Sequence, residues 1–367
     1  MTCASFRNLI ISFLTISLCV LSCKEKQPDP DYDRSDFLTN MADTIIVPAF
    51  ENAVKKADSL VYYTSAFTEN PTASNLTNLQ IQWKITSLAW AGIQIYDFGP
   101  AMEQDLKSSV DVWPVSSSQI ENLTTVTAAS FNQSYINGVE SNKKGLPAIE
   151  YLIFYPQTDS VLAAFSTKTH AETRKAYLKE LSINIYNKIN SVKDTWKNEY
   201  RTAFINNKGV ELGTSTNYLT NHLIMYLEHL LNAKLGIPSG NKPVGSTIKP
   251  SLIENPYSKF SIAVMLENIN VIEKTFKGGS GSGFDNYLDN LKVTNDKGPL
   301  SQQINDQIVR FRNAVKTLNE PYAETLVSNK ADVDKAWVEG KILLRLLKLD
   351  MTSALGISIS YTDNDGD

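Results

Sequence analysis

Between residues 36 and 66 apolar side chains recur every three or four positions: Phe37, Leu38, Met41, Ile45, Ile46, Phe50, Val54, Ala57, Leu60 and Val61. That period lines one face of an α-helix. The same pattern returns over 72–97, 169–206 and 216–235, and near 257–276, 299–319 and 330–355. In the 169–206 stretch the stripe is Ala176, Tyr177, Leu181, Ile185, Ile189, Val192 and Trp196. Amphipathic helices bury such stripes against one another. The expected fold class is therefore all-α, with antiparallel helical bundles joined by short loops.

Punctuation along the chain refines that expectation. Pro48 predicts a kink or break in the first helix, because proline lacks the N–H that an interior position donates. Phe98-Gly99-Pro100 ends the second helix, and Gly236-Ile237-Pro238 stops the one over 216–235. Residues 101–144 predict short helices and loops. Residues 357–361 alternate apolar and polar, the one strand-like stretch. The glycine-rich run 278–283 reads as a flexible loop. No internal repeat is visible in the sequence.

The first 22 residues predict a signal peptide. Arg7 supplies its positive charge, and an apolar stretch from Leu9 to Leu21 is short for a membrane span. Val20-Leu21-Ser22-Cys23 resembles a bacterial lipobox, which predicts cleavage before Cys23 and acylation of its thiol. The alternative is an ordinary secretion signal that Cys23 happens to follow. Residues 23–35 are polar and carry two prolines, as a tether would. Lys24 stands where an aspartate favours inner-membrane retention, so the expected location is the outer membrane.

The chain has 367 residues, 20% charged and 10% aromatic, with a net charge of −4. That is enough for two domains or one long helical array. No basic patch is concentrated anywhere, which argues against a nucleic-acid partner. Cys3 and Cys19 would leave with the signal peptide, so a cysteine nucleophile or a redox pair is excluded in the mature chain. Three histidines are a poor supply for a metal or acid–base enzyme. His222 and His229 lie two turns apart on one predicted helix, ~10.5 Å of rise, too far to share an ion directly. They read as interface or core-edge residues. His170 reads as solvated. No P-loop, no dinucleotide glycine motif and no G-x-S-x-G occurs.

The most informative segment is Gly145-Leu-Pro147-Ala-Ile-Glu150-Tyr-Leu-Ile-Phe154. Pro147 suits the first turn of a helix, where a missing N–H costs nothing. Glu150, three residues on, shares its face. A glutamate there interacts favourably with the helix dipole, and the structural reading is preferred to that of a general base or ligand.

The segment resembles the G-x-H-x-x-E signature of the imelysin-like (M75 peptidase-like) family, with Pro147 in the histidine position. Tyr96-Asp97-Phe98-Gly99-Pro100 with Val112-Trp113-Pro114 resembles that family's FGP and WP pair. Lys234-Leu235-Gly236-Ile237-Pro238-Ser239-Gly240 resembles its R-x-G-I-P-x-G turn. Lys249-Pro250 with Glu254-Asn255-Pro256-Tyr257-Ser258 resembles its K-P…E-S-x-Y-S run, with Asn255 for the first serine. Ser353-Ala354-Leu355-Gly356 through Asp367 resembles its terminus.

The resemblance implies two packed four-helix-bundle-like domains derived by duplication, here 36–208 and 209–367, with the site where they meet. It implies a cell-envelope protein linked to iron uptake. The partners would be the membrane, through lipid on Cys23, and iron or haem uptake components. Carried over by motif, the binding residues are Gly145, Pro147, Glu150, Asp97, Glu254 and Ser258. A divalent metal or iron is the cofactor implied, with Glu150 the best candidate ligand; a proline side chain cannot bind a metal, so half the family pair is missing. Glu150, Asp97 and Glu254 are the acidic residues expected to converge. The preferred function is a non-catalytic binding protein, and the alternative is an M75-type metallopeptidase with a non-standard metal site.

Overall fold

The structure is a computed structural model and describes residues 33–361. The expected signal peptide, Cys23 and most of the tether lie outside the described residues, as do 362–367. The tether's expected end is already part of the body. Arg34 is buried, and its Nε donates to the Tyr287 hydroxyl at 2.8 Å.

The chain is built almost wholly of helix, as the apolar periodicity predicts. Helix α1 (Ser35–Asn40) passes through a π turn (Met41–Ile46) into α2 (Val47–Glu69). The break expected at Pro48 does not occur. The Val47 N–H reaches back five residues to Ala42 O. Pro48 then falls in the first turn of the α-helix that follows, where no N–H is needed. Helix α3 (Ala73–Gln94) starts on Thr72, whose hydroxyl accepts from Asn75 N, and stops before the Phe98-Gly99-Pro100 turn. Residues 101–144 form short helices and loops, among them Leu106–Val110. Helix α4 (Gly145–Phe154) leads to α5 (Ala171–Thr195), which continues through a π turn (Trp196–Tyr200) into Arg201–Asn206.

Helix α6 (Ser215–His229) repeats the device of the first rod. It widens into a π turn (Leu230–Gly236) and runs on through Ile237–Ser239. The stop expected at Gly236-Ile237-Pro238 is therefore displaced to Gly240. There φ is 75°, and an added Cβ would sit 2.2 Å from Ser246 O. Helices α7 (Ser261–Lys277), α8 (Leu300–Lys316) and α9 (Lys330–Arg345) follow, the last continuing through a π turn (Leu346–Met351) to Thr352–Leu355.

Helix α2 packs on α3 and α5, and α8 packs on α9; α7 touches both α3 and α8 and so joins the two sets. One continuous hydrophobic core runs through both. Phe50, Leu60, Trp83 and Leu181 belong to its N-terminal part, and Leu231, Phe311 and Leu343 to its C-terminal part. Gly340, inside α9, leaves the space that Leu231 fills: an added Cβ would meet Leu231 Cδ2 at 2.2 Å.

Two local expectations change. Residues 357–361 are extended but pair with no strand. Asn217 and Asn221 Nδ2 donate to Ser358 O, and Ser360 N donates to Asn221 Oδ1. The alternation reflects docking on α6. The paired strands among the described residues are the two-residue β1 (Thr294–Asn295) and β2 (Gly298–Pro299). The loop 278–283 is held in place, with Asn40 Nδ2 donating to both Gly278 O and Ser282 O.

Candidate functional site

The site forms where 105–114, α4, the end of the α6 rod and the 250–261 loop meet. Gly145 sets the spacing. Its φ is 77°, and a Cβ there would lie 2.3 Å from Val110 O. Only a glycine lets the start of α4 press on the end of Leu106–Val110. Pro147 is buried in the first turn of α4.

Glu150 follows one turn later and is 1% exposed. Its Oε1 accepts from Tyr257 N at 3.1 Å, Ser258 N at 2.8 Å and Ser258 Oγ at 2.6 Å. The loop wraps the carboxylate because the backbone turns left-handed at Asn255 and again at Lys259. Asparagine tolerates that conformation better than most residues. Burial pushes the Glu150 carboxyl up to about 7; the three donors pull the other way, and nearby Glu254 adds to the rise.

A second buried group lies beside it. Lys234 Nζ is 3.0 Å from Glu254 Oε1, 2.8 Å from Glu254 Oε2 and 2.8 Å from Asn268 Oδ1. The contact to Oε2 is ionic and lacks hydrogen-bond alignment. The ammonium also sits 5.5 Å from the centre of the Trp113 ring. Asn268 Nδ2 donates to the Tyr226 hydroxyl, which donates to Ala91 O at 2.6 Å. Burial lifts Glu254 to about 7, with Lys234 opposing and Asp111 adding to the rise. Asp111 is buried as well. Its Oδ2 accepts from Trp90 Nε1 at 2.7 Å, and burial raises its carboxyl against the pull of Lys234.

The acidic residues that meet here are thus Glu150, Glu254 and Asp111. Asp97 does not join them. It lines a neighbouring cavity of about 330 Å3 with Asp105, Lys107 and Ser108, where burial raises its carboxyl against the pull of Lys107. The signal for Asp111 was its place immediately before Val112-Trp113-Pro114. Ser258 is brought to the site as a donor to Glu150.

Both histidines of α6 feel the charge of Lys107. His222 packs on Phe98 at 5.2 Å, and burial pushes it down to about 4. His229 meets Trp113 edge to face at 5.2 Å. Burial first, then Lys107 and Lys234, holds its imidazole well below the usual range, so it is neutral. Its Nε2 is buried without a hydrogen-bond partner. His170 is exposed.

Beside this cluster opens a cavity of about 290 Å3. Lys107, Asp111 and His229 supply its polar wall, and Trp113, Ile237 and Leu252 its apolar wall. A concave, mostly apolar site with a few converging polar groups is the usual form of a small-molecule site.

The family model described as imelysin (peptidase M75) matches residues 46–341. This chain belongs to the imelysin family. Its relatives include iron-regulated protein A of Synechococcus elongatus (strain ATCC 33912 / PCC 7942 / FACHB-805), 21% identical over 301 residues, covering 81% of this chain and 79% of that protein. The fold is shared with an imelysin-like protein from Psychrobacter arcticum 273-4, with a TM-score of 0.73, 16% identity and coverage of 89% and 97% of the two chains. It is shared equally with a protein described as an iron-regulated protein A precursor from Parabacteroides distasonis ATCC 8503, with a TM-score of 0.73, 18% identity and coverage of 89% and 96%.

The metal ligation that the imelysin signature implies does not fit the residues of this member. Pro147 offers no donor, and Glu150 Oε1 is engaged by three donors. Among the described residues no three His, Cys, Asp or Glu side chains are grouped as metal ligands. Lys234 is paired with Glu254, and its positive charge acts on Asp111 as well.

Proposed function

We propose that this imelysin-family protein is a non-catalytic binding protein of the cell envelope, associated with iron uptake. It would be anchored through lipid on Cys23 and bind its ligand where two duplicated bundles, 36–208 and 209–367, meet. The observation that carries this reading is the state of Glu150. Its Oε1 accepts from two backbone amides and the Ser258 hydroxyl, so it ties α4 to the 254–258 loop. A catalytic metal site needs several side-chain ligands and an open position for water. The neighbouring carboxylate, Glu254, is instead paired with Lys234. The cavity beside Trp113 supplies room for a ligand, and the name of the Synechococcus relative supports the link to iron.

Native mass spectrometry of the full chain, purified from iron-poor and iron-rich cultures, tests this. The expected result is a co-purified small molecule that is lost when Ala233→Trp fills the cavity. Chelator-sensitive cleavage of casein by the unmodified protein, abolished by Glu150→Gln, would restore the peptidase.

A further inference from the structure

Lys107 stands in the wall between the two cavities and lines both. It is only partly buried, and among the described residues its ammonium makes no hydrogen bond and no ion pair. Its charge is felt by Asp97, Asp111, His222 and His229, yet none of them contacts it closely enough to bond. His229 lines the Trp113 cavity too, and its buried Nε2 has no partner. Buried polar atoms without partners are uncommon and call for an explanation. Here a cation and an orphaned imidazole nitrogen border one apolar chamber.

We infer that this chamber takes a small anion with an apolar body, a one- or two-ring carboxylate, held between Lys107 Nζ and His229 Nε2 with its ring against Trp113. The inference rests on the binding reading above and adds the ligand class. The charges favour an anion. Lys234 is already paired with Glu254, whereas the Lys107 ammonium bonds to no carboxylate among the described residues. Asp111 is already engaged by Trp90. A cationic ligand would meet the Lys107 ammonium, and the carboxylate in the same wall, Asp111, is buried and already bonded through Oδ2. A wholly apolar ligand would desolvate the ammonium without compensation. Neutral His229, in the tautomer with its proton on Nε2, would donate to a carboxylate oxygen without adding charge.

Isothermal titration of the full chain with 2-naphthoate, benzoate, 2-naphthamide and 2-naphthylmethylamine tests the assignment. Loss of a charge-assisted hydrogen bond corresponds to about tenfold or more in affinity. The carboxylates should therefore bind at least about tenfold more tightly than the amide and the amine. Lys107→Met should remove that preference, Lys107→Arg should keep it, and the far-ultraviolet circular dichroism of both should match the parent. If the amide or amine binds as tightly as 2-naphthoate and Ala233→Trp abolishes it, the anion assignment falls and the binding reading stands. If no probe of any charge binds, the anion assignment falls, and the co-purified small molecule alone decides the binding reading.

Discussion

Lys234 holds both carboxylate oxygens of Glu254 within 3.0 Å while the two side chains are 2% and 5% exposed. A buried pair of this kind is costly to break from one side, because the charge left behind has no water. Lys234→Met should lower unfolding free energy by about 3–5 kcal/mol, read from urea denaturation. Lys234→Met combined with Glu254→Gln should recover much of the loss. Equal destabilisation by the single and double variants would show that the ion pair is not the source.

Glu150 gives a signed pH dependence. Its folded-state pKa is raised to about 7 by burial. The folded chain therefore holds this proton more tightly than the unfolded chain. Its contribution is full below the unfolded value near 4.5 and is lost as pH rises to about 7. His222, pushed down to about 4, acts oppositely: its neutral form suits the fold, so stability rises from about pH 4 to about 6.5. His229 is lowered too and acts in the same sense as His222. The total slope is composite, and the difference between the parent and Glu150→Gln isolates the carboxyl. That difference should shift in favour of the variant as pH rises from 4.5 to 7. A difference independent of pH would contradict the raised pKa.

Restoring the family histidine should not by itself restore a metal. Pro147→His supplies an imidazole, but the donors on Glu150 Oε1 remain. Zinc content after dialysis, measured by plasma mass spectrometry, should stay well below one per chain. Adding Ser258→Ala removes the shortest of those bonds and should raise it. One zinc per chain in the single variant would mean that Glu150 is free to ligate.

Anchoring is tested outside the described residues. Cys23→Ala should abolish fatty-acid labelling in cells and release the protein from the membrane fraction. Unchanged labelling would remove the lipoprotein reading.

Helix content was legible because burial at period 3.6 leaves its trace in every long segment, from Phe37 to Leu355. Chain breaks were less legible. Pro48 and Pro238 carry the local signature of a stop, but π turns just before them dispose of the missing N–H. Residues 357–361 looked like a strand because alternation records only that one side is buried; here the backbone bonds to Asn217 and Asn221 of α6 instead of to a strand. At the site, the motif residues Glu150, Glu254 and Ser258 lie together in the fold. Asp97 lies apart from them, in the cavity lined by Asp105, Lys107 and Ser108, because the segment after its motif carries it there rather than to the Trp113 turn. The role of Lys107 depends on the approach of α6 across more than a hundred residues, and no local spacing encodes that.

The π turn at Leu230–Gly236 has a consequence for phase. Five α-helical steps of about 100° would rotate Lys234 about 140° away from His229. Where the bonding reaches back five residues, side chains five apart come nearly into line. The extra residue thus lets His229, on one side of the widening, and Lys234, within it, address the same Trp113 ring. Removing one residue from that turn would preserve every functional side chain and a continuous helix, yet swing Lys234 away from Glu254. The cluster is therefore spelled out as much by the number of residues in the Leu230–Gly236 turn as by their identity.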